Sequence, residues 1–154
     1  MDIRKILLLA VGSAVLTACA ATGPSFQLRS SDKPQIVIYR TNHTVGFGAS
    51  YWVEINGQQV CDLHNSSFMI YAAQPGENII TSSAFGRVGT AKLTLNLRSK
   101  EVVYVRMEQT GVTGAMLFGV IGDAIENDAG PVKLEIVSKN VAEEGMKEMG
   151  QDCL

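Results

Sequence analysis

Residues 90–97, TAKLTLNL, alternate apolar and polar side chains without a break. Ala91, Leu93, Leu95 and Leu97 fall on one side, and Lys92, Thr94 and Asn96 on the other. Successive side chains of a strand point to opposite faces, so this pattern marks a strand with one face in a core and one in water. VVYVRM at 102–107 repeats it, with Val103, Val105 and Met107 set against Tyr104 and Arg106. VKLEI at 132–136 does the same through Val132, Leu134 and Ile136. QIVIYR at 35–40 is apolar on both faces and reads as a central strand. In YWVEINGQQVCDL, at 51–63, Asn56-Gly57 tolerates the positive φ angles of a type I′ turn. A two-residue loop there sets Ile55 opposite Gln58, Val53 opposite Val60 and Trp52 opposite Cys61. FMIYAAQPGENIITS reads as two more strands joined around Pro75-Gly76.

These elements predict an all-β fold. The expected architecture is an antiparallel β-sandwich of about seven or eight strands, with a short apolar crossover segment and a C-terminal helix. That helix falls in NVAEEGMKEMGQ, with Asn140 as its cap and Val141, Met146 and Met149 as packing residues. Gly145 weakens it. The chain has 154 residues, so one domain is expected. Net charge is −2 and no Lys/Arg run forms a basic stripe, which argues against a nucleic-acid partner.

The first 18 residues, MDIRKILLLAVGSAVLTA, have the layout of a secretory signal. Arg4 and Lys5 precede an apolar stretch from Ile6 to Val15, and small residues lead to Ala18. The apolar stretch is shorter than the ~20 residues a membrane span needs. Leu16-Thr17-Ala18-Cys19 resembles the bacterial lipobox. The resemblance implies that Cys19 is the lipid-attachment residue and the first residue of the mature chain. Acyl chains anchor by ~0.8 kcal/mol per buried methylene, and two already hold stably. Ala20, rather than Asp, follows the cysteine, which implies an outer-membrane location, facing the periplasm. The expected layout is a cleaved signal over 1–18, a lipidated tether over 19–34 and the sandwich with its helix over 35–154.

Two cysteines remain, Cys61 and Cys153. In an oxidising compartment they can pair; equally, Cys61 can be a buried apolar residue and Cys153 a free thiol in a frayed tail. Neither lies in C-x-x-C.

Residues 111–131, GVTGAMLFGVIGDAIENDAGP, interrupt the strand pattern. Met116, Leu117, Phe118, Val120 and Ile121 lie among glycines. They read either as a buried crossover or as a contact surface for a partner protein or the membrane. Tyr51 and Trp52 are candidate ligand contacts, since aromatic platforms stack on sugar faces.

Catalytic and cofactor patterns are poorly matched. His43 and His64 are the only histidines and no ligand cluster accompanies them, so no metal is expected. Gly114 to Gly119 has phosphate-loop spacing, but Val120 stands where Lys is required. Gly46-Phe47-Gly48 lacks the third glycine of a dinucleotide fingerprint, and G-x-S-x-G is absent. His64 with Asp62 and Ser66 is the one triad-like grouping, more simply read as a solvated strand edge.

The run I-Y-R at Ile38 to Arg40, then VEINGQQV, Pro75-Gly76 and VVYVRM, resembles in its order an uncharacterised bacterial family of short lipoproteins with a domain of unknown function. It is also similar to the small surface sandwiches named for a Pro-Glu-Gly-Ala motif, the matching turn being Pro75-Gly76-Glu77. The resemblance covers about residues 35 to 138. It implies a β-sandwich and supplies no catalytic residues. The expected function is a lipid-anchored envelope lipoprotein, without enzymatic activity or cofactor, serving as an interaction or assembly module in an envelope protein complex. The alternative is a ligand- or glycan-binding periplasmic domain.

Overall fold

The computed structural model describes residues 28, 31–43, 50–83, 90–109 and 132–153. Two sheets face each other. Sheet A has the order β8-β7-β1-β4-β9 and sheet B the order β3-β2-β5-β6. The strands are β1 (Gln35–Arg40), β2 (Tyr51–Ile55), β3 (Gln58–Leu63), β4 (Ser67–Ala72), β5 (Gly76–Ser83), β6 (Thr90–Leu97), β7 (Val102–Gln109), β8 (Val132–Val137) and β9 (Gly150–Gln151), with helix α1 (Lys139–Gly145) between the last two.

Sheet B is antiparallel throughout. Sheet A is mixed, which corrects the all-antiparallel expectation: β1 pairs with β7, and β4 with β9, in parallel. The cause is the path of the chain. After β6 the chain crosses back from sheet B and starts β7 at the end where β1 also starts, Gln35 lying beside Val102. Strands that begin at the same end of a sheet can only pair in parallel.

All six residues of β1 are buried, because it is the middle strand and both its faces are covered. Ile36 and Ile38 join Val53, Ile55, Leu63, Met69, Ile80, Val105 and Met107 in the core between the sheets. Val37 and Tyr39 point the other way, into a second cluster with Phe68, Tyr104, Ala142, Met146 and Met149. Helix α1 supplies that second layer. It carries the chain from one edge strand of sheet A to the other, so it must cross the outer face. Leu28 also leans on this outer cluster.

The helix differs from expectation at its start. Its N-cap is Ser138 in extended backbone, and Asn140 lies inside the first turn. Starting there turns Ala142 and Met146 to the sheet and leaves Val141 half exposed. Gly145 has a packing reason: a Cβ there would sit 3.0 Å from the Tyr39 ring, so its lack of side chain lets α1 approach β1.

The Asn56-Gly57 turn has the two positive φ values expected, 54° and 78°. The hairpin register does not follow the two-residue loop all the way. A bulge at Val53/Glu54 places Val53 opposite Cys61 and Trp52 opposite Asp62. Bulges admit one extra residue and re-aim those beyond it. Here the shift brings Cys61 onto the inner face beside Val53, where it is 4% exposed.

Candidate functional site

The most heavily bonded polar constellation among the described residues lies at the end of the sandwich where β1 finishes. Arg40, Leu63, the β3–β4 turn and the C-terminal tail converge there. Arg40 is fully buried. Its guanidinium carbon lies 4.1 Å from the centroid of the Tyr51 ring, and Nη1 donates to the Leu63 carbonyl at 3.4 Å. Burial pulls the Arg40 pKa down, and the Tyr51 side chain partly opposes this. A guanidinium stacked on an aromatic face is attracted by the ring's negative quadrupole, which lowers the cost of burying its charge.

Beside it, Thr41 Oγ1 lies 3.0 Å from His43 Nε2. The His43 amide donates to Asn65 Oδ1 at 3.0 Å, and Asn65 Nδ2 donates to Asn42 Oδ1 and to the His43 carbonyl. These bonds tie the chain leaving β1 to the β3–β4 turn. Ser66 in that turn has φ 55°.

The second half of the constellation is Asp152. Its Oδ2 accepts from the His64 amide at 2.8 Å and from Ser67 Oγ at 2.6 Å, and lies 3.1 Å from His64 Nδ1. Its own amide donates to the Phe68 carbonyl at 2.8 Å. Ser, His and Asp therefore meet here, but with different members and a different order from a triad. Asp62 bonds Gln59 instead, and Ser67 rather than Ser66 is the serine that takes part. A hydrolytic relay needs the imidazole between hydroxyl and carboxylate. Here one carboxylate oxygen stands between them, and the Ser67 hydroxyl, 4% exposed as a residue, gives its proton to that oxygen or to the His64 carbonyl 2.8 Å away. The arrangement fastens the tail to the turn.

Next in the chain, Cys153 forms a disulfide with Cys61, with Cα atoms 5.8 Å apart. It joins the tail beyond β9, at one edge of sheet A, to β3, at the edge of sheet B.

Of the other sequence candidates, Tyr51 is buried, with Arg40 against its ring. Trp52, its chain neighbour, takes the opposite face of sheet B and is half-buried. The two aromatics thus share no surface. Cys19, and the apolar residues Met116, Leu117, Phe118, Val120 and Ile121, lie outside the described residues, as does the crossover segment. No group of three or more His, Cys, Asp or Glu side chains among the described residues could hold a metal ion. Sequence reasoning missed Arg40, Ser67 and Asp152. An arginine ending a strand whose middle residues are apolar on both faces was a usable signal for Arg40. Asp152 had none, because its partners are more than 80 residues away.

No family model matches the chain, and no curated protein is significantly similar to it.

Burial pushes the Asp152 carboxyl up, but the bonds from Ser67 and His64, with the His64 charge, outweigh it and hold the pKa below its ordinary value. A carboxyl that is more acidic folded than unfolded adds stability above its unfolded pKa, and the gain disappears as pH falls through the folded one. Asp152→Asn is expected to cost about 1 kcal/mol at neutral pH, the worth of charge-assisted bonds discounted for partial solvent exposure. Urea titrations of the two proteins should converge as pH is lowered through the carboxylate range. A gap that stays constant down to strong acid would show that the charge contributes nothing.

Proposed function

We propose that the chain is a lipid-anchored lipoprotein of the bacterial cell envelope, held at the outer membrane through Cys19, whose sandwich is a non-enzymatic interaction or assembly module. The supporting observation is the disposition of the strand ends. The chain enters the sandwich at the Pro34 end, where Gln35 and Ala73 bond across to Glu101 and Pro34. The strands that flank residues 110–131, β7 and β8, meet at the opposite end, where Gln109 pairs with Val132. One strand of six residues separates the two ends, about 20 Å. The segment that carries Met116, Leu117, Phe118, Val120 and Ile121 therefore joins strands that meet at the end away from the one where an N-terminal anchor would enter. The Cys61–Cys153 disulfide agrees with an oxidising compartment outside the cytoplasm.

Metabolic labelling with a palmitate analogue should mark the wild-type chain and leave Cys19→Ser unmarked and released from membranes. Crosslinking in intact cells should then recover an envelope protein from the wild type, and lose it when residues 116–121 are deleted while the domain still melts cooperatively. An unlabelled wild-type chain refutes the anchor. A deletion that unfolds the domain makes the segment part of the core and removes the partner surface.

A further inference from the structure

We infer that residues Met149–Cys153 form a redox-released strap: the Cys61–Cys153 disulfide is the gate, and the Asp152 carboxylate is a second, weaker fastening that re-closes the strap once the disulfide is cut.

The strap has few other attachments. Strand β9 is two residues long, both exposed, and pairs on one side only. Met149 is the one strap side chain in the outer apolar cluster, and the Asp152 amide adds one bond to Phe68. Among the described residues, the other attachments are a bond from the Met149 amide to the Met146 carbonyl at 3.1 Å, the disulfide, and the His64 and Ser67 groups facing Asp152. Local opening is governed by how much buried contact a segment carries, and this segment carries little. Cys153 has φ 52°, a left-handed conformation that a non-glycine residue holds only under constraint from its surroundings.

The two cysteines differ in exposure. Cys61 lies on the inner face of β3 and is buried, whereas Cys153 is an exposed residue beyond the edge of the sheet. Exposed disulfides are the ones that exchange readily. The reductant implied is a dithiol. One of its thiolates attacks Cys153 Sγ, the Cys61–Cys153 bond breaks, and Cys61 leaves as a thiolate that takes a proton. The second thiol then attacks the mixed disulfide, so that Cys153 departs as a thiol and the dithiol becomes the disulfide. Two electrons and two protons pass to the protein. Release of the strap withdraws Met149 from beside Phe68 and uncovers the His64 and Ser67 donors. It changes the surface at the end of the sandwich that faces away from the chain's entry point. The inference needs only the disulfide and is independent of the lipid anchor.

Amide hydrogen exchange on the full chain tests it, with and without a phosphine reductant, in wild type and Asp152→Asn. The reporters are the His64 and Asp152 amides, whose bonds span the strap junction, with the Val37 and Ile38 amides of β1 as the control. In the oxidised protein both variants should protect the reporters to within about threefold of one another. Reduction should speed reporter exchange roughly tenfold in the wild type and about another fivefold in Asp152→Asn, while β1, although accelerated by the loss of the cross-link, stays at least about tenfold better protected than the reporters in both. Reporters that are indifferent to reduction overturn the proposal. So does an oxidised Asp152→Asn protein in which the strap is already open, because the disulfide is then no gate. If β1 and the reporters reach the same protection on reduction, the strap is not separable from the fold and the proposal fails.

Discussion

Replacing Cys61 and Cys153 together by alanine is expected to remove about 4 kcal/mol of unfolding free energy, the chain-entropy value for a closed loop of this size. The loop spans 92 residues and takes in every strand from β4 to β9, so an uncrosslinked unfolded chain gains much freedom. For a domain of this length the melting temperature should fall by roughly 15 °C in calorimetry. Both cysteines are changed so that no buried thiol is left behind. A loss below about 1 kcal/mol would mean that the closed loop no longer restrains the unfolded chain as the model requires. Such a result would leave the strap without global mechanical weight, while the hydrogen-exchange experiment would still decide whether it opens.

The second large effect is expected at Arg40. Arg40→Ala should cost about 3 kcal/mol in urea unfolding, because it empties a fully buried site and strips the Tyr51 face of its partner. Arg40 lies between Ser67 and Met107 in sheet A, on the face that meets sheet B, so rigid strands surround the vacated volume. Arg40→Met keeps most of the bulk and removes the charge, and its cost should stay under about 1.5 kcal/mol, since volume-conserving replacements of buried charges are well tolerated. If methionine costs as much as alanine, the polar contacts of the guanidinium hold this end together and its bulk does not. The comparison separates packing from electrostatics at the charge that, among the described residues, is buried between the sheets.

The two experiments probe different kinds of information. Alternation in TAKLTLNL, VVYVRM and VKLEI was enough to place strands, because side-chain direction in a strand has a fixed period of two. The core side read for VKLEI holds for Val132 and Leu134 but not for Ile136, which is 55% exposed because β8 is the edge strand of sheet A. The apolar character of both faces in QIVIYR likewise marked a middle strand, since only a strand covered on both sides carries that pattern. Asn56-Gly57 announced its turn because few residue pairs accept two positive φ angles. Tyr104 shows where the pattern ran short. Alternation puts it on the side away from the main core, yet it is buried, because a helix from the far end of the chain covers that side.

The sequence alone settled what each segment does locally: strand, turn, short helix, and the face each strand offers to a core. Those properties follow from backbone sterics and from side chains a few residues apart. Tertiary structure decided the rest. The parallel pairing of β1 with β7 depends on which sheet the intervening strands enter, and no local pattern records that. The bulge at Val53/Glu54 turned Cys61 inward toward its partner 92 residues away. The meeting of Asp152 with His64 and Ser67 likewise exists only once the tail has crossed sheet A and reached the β3–β4 turn. Contacts of that kind are set by the closing of long loops, whose outcome depends on the whole chain.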